Sequence, residues 1–247
     1  MNRILFEESE LENGHVCLPP NDRRSVHVRT VLKAVPGDTV RAGIVQGATG
    51  TLTVEDSDSN GLHGFFEADD EPITGGGIGG TLLLAAVRPI VFKRLVKDLS
   101  TLGLERILVC RATLTERSYL HASIWDADRL RGRLVEGAEQ GGHTRIPEVS
   151  VYASVPAALE ALPAGLRYLA DQQGKPLFDA PGGTVQHAGS LTSAVGPERG
   201  FTDDERNALL AARFCPVSLG PAILRTEVAA QALPLLVYMH HGRPDAR

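Results

Sequence analysis

Gly196-Pro197-Glu198-Arg199-Gly200-Phe201 and, after a short gap, Ser218-Leu219-Gly220-Pro221-Ala222-Ile223-Leu224-Arg225-Thr226-Glu227 carry more information about this chain than any other part of it. The first segment follows an apolar run, residues 191–195, that reads as a buried strand. It precedes a helix over residues 202–213, whose Thr202 and Glu205 form a capping box. The second follows a short strand over 217–219 and leads into a last helix over 224–240. Open α/β sheets bind ligands at the carboxyl ends of their strands, and glycine lets backbone amides and carbonyls approach a ligand closely. Two such loops form adjacent walls of one pocket, with Arg225 and Glu227 as paired charge at its mouth. Two tight strand–helix turns with a surface ion pair fit the same residues, and spacing alone does not choose between these readings.

Working outward toward the N-terminus, strand and helix patterns alternate. Residues 81–87 are continuously apolar, as a strand buried on both faces requires. A helix follows over 90–102, with Val91, Leu95, Leu99 and Leu102 in register. Then come a strand at 106–110, a helix at 124–140 stopped by Gly141-Gly142, a strand at 148–152, a helix at 156–162 and a strand at 166–170. Such alternation predicts an α/β domain with a mostly parallel sheet over residues 81–247. Residues 74–80, Thr-Gly-Gly-Gly-Ile-Gly-Gly, are the clearest break in composition and read as an interdomain linker. Gly75, Gly77 and Gly80 match G-x-G-x-x-G, but a dinucleotide loop follows a strand and opens a helix, whereas here the strand comes after the glycines. Residues 1–73 read as a small domain of short strands at 40–45, 50–56 and 62–67, one helix at 22–33 and a Pro36-Gly37-Asp38 turn. Close spacing of short strands suggests a small barrel.

Hydrophobic residues make up 43% and charged residues 22% of the 247, ordinary globular composition. No apolar run reaches the ~18 residues of a spanning helix, and the residues after Met1 turn acidic at once, which predicts a cytoplasmic protein without membrane attachment. Cys17, Cys110 and Cys215 form no CxxC pair, so neither a disulfide framework nor a metal site is expected. There is no G-x-S-x-G elbow, Walker loop or H-E-x-x-H. The net charge of −5 argues against bulk nucleic-acid binding. Residues 1–73 hold 6 Lys and Arg against 13 Asp and Glu, so any RNA contact there must be local. Arg23, Arg24, Arg29, Lys33 and Arg41 form the candidate patch, with Arg23, Arg24 and Arg29 expected to help hold RNA, and a solvated helix face explains the patch equally well.

The sequence resembles a known family at these same residues. G-P-E-x-G-F followed by L-G-x-x-I-L-R-T-E resembles the signature of the SPOUT methyltransferases that modify N3 of a uridine in small-subunit ribosomal RNA (the RsmE family). His27-Val28-Arg29-Thr30-Val31-Leu32 with Pro36-Gly37-Asp38, Leu102-Gly103, Thr115-Glu116-Arg117-Ser118, and Glu136-Gly137-Ala138-Glu139-Gln140 with Arg145-Ile146-Pro147 extend the likeness almost end to end. The resemblance implies a PUA-like N-terminal domain, a trefoil-knotted C-terminal domain, a homodimer, and S-adenosylmethionine as cofactor. It implies cofactor walls of Leu169, Ala170, Gly196, Pro197, Glu198, Gly200, Leu219, Gly220, Ile223, Leu224, Arg225 and Thr226. Glu198 or Glu227 is then the candidate base, Arg225 a stabiliser of the uracil anion, and Arg199 a further RNA contact. Arg199 stands where the family has a second glycine, and Pro221-Ala222 where it has arginine in its second loop. A SPOUT enzyme acting on another base or a ribose hydroxyl, and a non-catalytic RNA-binding assembly protein, are the alternatives.

Overall fold

Residues 2–71, 76–180 and 190–241 are described by the computed structural model of the protein, in which two six-stranded sheets are joined in tandem. The first comprises β1 (Ile4–Phe6), β2 (Leu11–Glu12), β3 (His15–Leu18), β4 (Thr39–Ile44), β5 (Thr49–Ser57) and β6 (Leu62–Ala68), in the order β1-β4-β5-β6-β3-β2. Only β1 and β4 run parallel; the other pairs are antiparallel. Alternate residues point inward, as the two-residue period of a strand dictates. Leu52 and Val54 of β5, Leu62 and Phe66 of β6, and Val16 and Leu18 of β3 meet Ile4 and Phe6 from the far edge in one apolar cluster. Among the described residues, no pairing joins β1 to β2, so this mixed sheet is open, with two short strands at its edges. The expected helix begins on schedule, with the Asp22 side chain accepting from the Arg24 amide at the start of α1 (Arg23–His27). It then widens into a π-helical turn, Val28–Leu32, closed by Lys33 in the left-handed region.

The second sheet is wholly parallel, in the order β12-β10-β11-β7-β8-β9. Along the chain it runs β7 (Thr81–Ala85), α2 (Pro89–Thr101), β8 (Arg106–Cys110), α3 (Ala127–Gly141), β9 (Glu148–Tyr152), α4 (Val155–Glu160), β10 (Gly165–Pro176), β11 (Ser190–Val195), α5 (Asp203–Ala211), β12 (Phe214–Ser218) and α6 (Thr226–His240). Every residue of β7 is buried. Leu82 and Leu84 face the layer of α2, α3 and α6, while Leu83 and Ala85 face α4 and α5. An apolar strand without alternation therefore marks a sheet covered on both sides. The predicted capping box is present: Thr202 and Glu205 exchange side-chain and backbone hydrogen bonds at the start of α5.

Residues 74 and 75 of the glycine-rich segment, Gly75 of the G-x-G-x-x-G match among them, lie outside the described residues. The remainder is tied down rather than free. The Ile78 amide donates to the Leu102 carbonyl at 2.8 Å and the Gly79 amide to the Gly103 carbonyl at 3.0 Å. The two modules also share a polar joint at Glu139, which is buried on α3. Its carbonyl accepts from the Asn2 and Arg3 amides. Its carboxylate accepts from the Leu5 amide at 3.2 Å and from the Arg23 guanidinium. Burial raises the Glu139 carboxyl above the usual carboxylate range, and Arg23 only partly counters it. Leu5 and Val45 complete the joint by packing into the same cluster as Leu82 and Ala138.

Candidate active site

In a parallel sheet all carboxyl ends lie on one edge. On that edge β10, β11 and β12 stop beside one another and enclose a cavity of about 510 Å³. β10 shapes one wall by an irregularity. Ala170 and Lys175 both pair with Val217 of β12, so residues 171–174 bulge out of the ladder. Gly174 permits this, since a Cβ there would lie 2.5 Å from the Pro216 carbonyl carbon and the Val217 nitrogen. The bulge is braced by Asp171, which accepts from the Gln173 amide at 2.9 Å and from Arg206 Nε of α5 at 2.7 Å. The loop after β11 supplies a second wall, in which the Gly200 amide donates to the Pro197 carbonyl at 2.8 Å. The third wall is the loop after β12. There Gly220 has φ +125°, a backbone that side-chain-bearing residues rarely adopt, and its amide donates to Ser218 Oγ at 3.3 Å.

Of the residues singled out from sequence, Leu169 and Ala170 line the β10 wall, and Gly196, Pro197, Glu198 and Gly200 the β11 wall. Leu219, Gly220, Ile223, Leu224 and Thr226 line the third. Arg225 and Glu227 are not in the lining. The Arg225 side chain is 84% exposed and stands 4.0 Å from Glu227, so the pair sits beside the cavity. Arg199 is exposed and also outside the lining. Sequence reading missed Asp171, Gln172, Gln173, Asp203, Arg206 and Ala229. The position of Gln172 and Gln173 just past a predicted strand end was the available signal; no local pattern announces the bulge that aims them inward.

The arginines proposed for RNA in the first module are committed elsewhere. Arg24 is buried, and its five N–H donors go to Asp22, Glu10 and the Leu5 carbonyl. A guanidinium has five donors, so none is left for a phosphate, and the expectation for Arg24 is corrected accordingly. Burial disfavours its charge, but the two carboxylates outweigh that and raise its pKa. Arg23 is engaged with buried Glu139, and Arg29 donates to the carbonyls of Asp58 and Pro20.

A family model described as RNA methyltransferase domain matches residues 79–237. The chain belongs to that family. Within it, this RNA methyltransferase is 32% identical to the ribosomal RNA small subunit methyltransferase E of Treponema pallidum, over 94% of this chain and 88% of the relative. It is 27% identical to ribosomal RNA small subunit methyltransferase E 1 of Borreliella burgdorferi, over 96% and 97%. The likeness first read from the two glycine loops is thus one of the whole chain. Among solved structures, the Neisseria gonorrhoeae ribosomal RNA small subunit methyltransferase E bound to S-adenosyl methionine superposes with a TM-score of 0.76. It is 23% identical, and 97% of each chain is covered, a likeness that bears on the fold alone. Among the described residues no helix is long and apolar enough to cross a membrane, and no cluster of three metal-ligating side chains occurs.

Proposed function

We propose that this protein transfers the methyl group of S-adenosylmethionine to N3 of a uridine in small-subunit ribosomal RNA. The observation that carries the reading is the cavity itself, built at three adjacent strand ends from the same two glycine loops that mark the family. Its volume lies within the 300–1,000 Å³ of small-molecule sites. Its lining holds Asp171, Glu198 and Asp203 against Arg206 alone, a charge balance suited to a cationic sulfonium. Leu169, Val195, Leu219 and Leu224 supply apolar surface for an adenine ring, and the glycines let backbone groups reach it.

Bound there, the cofactor supplies an electrophilic methyl on a positively charged sulfur. The rest of the chemistry falls to the protein and the RNA. N3 of neutral uracil has no free lone pair, because its electrons are delocalised into two flanking carbonyls. Its proton must leave before or during attack, because only then would N3 have a lone pair for the methyl that the bound cofactor would supply. Glu198, on the cavity wall, is the better placed carboxylate to take that proton, with Glu227 beside the cavity as the second candidate. A positioned base contributes ~10²–10⁴-fold, and alignment of donor and nucleophile supplies much of the remainder. Arg225, adjacent to the lining, is suited to the anion developing on the uracil carbonyls.

The reading extends to the assembly: a cytoplasmic homodimer with a knotted SPOUT domain after a PUA-like one. Val228, Leu235 and Met239 of α6 are exposed and fall on one helical face, beside exposed Ile223. Such a face on the helix that borders the cavity suits a second subunit. Mass spectrometry of ribosomal RNA from cells with and without the protein tests the central claim. Loss of 3-methyluridine from the small subunit alone is the expected result, and an unchanged modification profile refutes it.

A further inference from the structure

With Arg23, Arg24 and Arg29 engaged in ion pairs and carbonyl contacts, cations of the second module are the candidates to hold the RNA. We propose that the groove between the beginnings of α2 and α3 binds the ribose-phosphate backbone of the RNA substrate. The inference rests on the RNA methyl-transfer reading and adds the surface on which the substrate lies.

The groove has a volume of about 380 Å³ and is walled by Pro89, Ile90 and Lys93 of α2 and by Arg129, Gly132 and Arg133 of α3. Among the described residues, the side chains of Lys93, Arg129 and Arg133 make no hydrogen bond or ion pair. Of the two carboxylates in the same walls, Glu136 is held by Lys97 at 3.2 Å, which leaves Asp128 alone against three free cations. Lys93 and Arg129 are exposed, as is Arg88 just before the groove. Folding stability would not choose this arrangement. Arg88 is the N-cap of α2, at the positive end of a dipole whose first turn carries no acidic residue, and a cation there is unfavourable. Cations gathered without partners are the electrostatic footprint of a polyanion.

Topology brings the groove to the substrate. Val195, which leads into the β11 wall of the cavity, is paired with Leu84 of β7, and the chain continues from the end of β7 through Ala86 and Val87 to Arg88. The α3 helix likewise begins on that edge, since it follows β8 and precedes β9 in a parallel sheet. A strand lying along Lys93, Arg129 and Arg133 therefore passes the edge of the sheet that holds the cavity. Ile90, 59% exposed, offers apolar surface to a ribose or an unstacked base.

The test uses the full chain, a fluorescein-labelled 20-nucleotide single-stranded RNA of mixed sequence, and anisotropy titrations across a KCl series. The variant Lys93→Gln/Arg129→Gln/Arg133→Gln is compared with wild type and with Lys93→Gln alone. Each phosphate contact on single-stranded RNA adds roughly 0.7 to the slope of log K against log [salt]. The triple variant should lose about 2 from that slope and bind on the order of 10- to 100-fold more weakly at 0.1 M KCl; the single variant should lose about 0.7. Affinity for S-adenosylmethionine by calorimetry and the unfolding midpoint should stay at wild-type values. A triple variant that binds within twofold of wild type with the same slope overturns the proposal. So does one whose mass by light scattering changes, because the groove would then be a subunit contact. Failure of wild type to bind the cofactor would instead count against the methyl-transfer reading and leave the groove's RNA titration to be judged separately.

Discussion

Gly174→Ala should both destabilise the protein and loosen the cavity proposed for the cofactor. The new Cβ would stand 2.5 Å from Pro216 and Val217 backbone atoms, where ordinary contact begins at 3.4 Å. Backbone facing backbone has no rotamer to escape into, so β10 and β12 must part by the missing 0.9 Å. The ladder pairs Lys175–Val217 and Pro176–Ser218 lie at that point. Weakening two hydrogen bonds costs about 1 kcal/mol each, and crowding a packed site costs about 1–3 kcal/mol. Alanine returns about 0.4–1 kcal/mol by restricting the unfolded chain. The net loss is about 2–5 kcal/mol, or a fall in Tm of about 4–18 °C for a chain of this size. Gln172 and Gln173 ride on the same bulge, so calorimetry should find S-adenosylmethionine bound at least about tenfold more weakly, given the sensitivity of positioned groups to shifts near 1 Å. Gly132→Ala is the control: nothing lies within 4 Å of its Cβ and it sits inside α3, so helix propensity predicts a gain of about 0.5–1 kcal/mol. If Gly174→Ala melts within 1 °C of wild type and binds cofactor equally well, the account of the bulge is wrong.

Gly220→Arg should abolish cofactor binding in a folded protein, because φ +125° does not suit a side-chain-bearing residue and the new side chain starts on the cavity wall; heat of binding equal to wild type would contradict this. Glu139→Ala leaves the Leu5 amide without its acceptor and frees Arg23, whose side chain is 40% exposed and rehydrates, so urea unfolding should report a loss of about 2–3 kcal/mol. Burial opposes ionisation of Glu10 and Asp22, but hydrogen bonds from Arg24 prevail and hold both below their ordinary values of 4.5 and 3.8. With folded values depressed, their contribution is present above the unfolded values and lost as pH falls through the folded ones. Arg24→Gln should therefore flatten stability against pH in the region below about 4.5, and a variant with the wild-type acid limb would argue against the cluster. Single-turnover methylation by Glu198→Gln should slow ~10²–10⁴-fold at unchanged cofactor affinity; wild-type rates there and in Glu227→Gln would remove both carboxylates from the chemistry.

Much of the parallel sheet was legible because it is buried on both faces. Arg106–Cys110 and Glu148–Tyr152 have the bounds read from sequence, and the Thr202–Glu205 box fixed the start of α5 to within a residue. The first three strands went unread. β1 is three residues long and β2 two, too short to show a period, although His15–Leu18 does alternate exposed and buried. The cavity was legible where glycine and proline mark its loops, and illegible at β10, where the wall depends on Gly174 meeting a strand some forty residues later. Arginine identity alone misled at Arg24: charge is visible in a sequence, but its partners at Glu10 and Leu5 are not.

The joint at Glu139 also bears on how the chain is made. The Leu5 amide emerges from the ribosome 134 residues ahead of the carboxylate that accepts it. At synthesis rates of about 5–20 residues per second, that is a wait of roughly 7–27 s. β1 can pair with β4 far sooner, since Ile4 needs only Ala42. The first module can thus form its own sheet early while Leu5, Arg3 and Arg23 still face water. Its docking edge closes only when α3 has been made, so translation sets the earliest moment at which the modules can join.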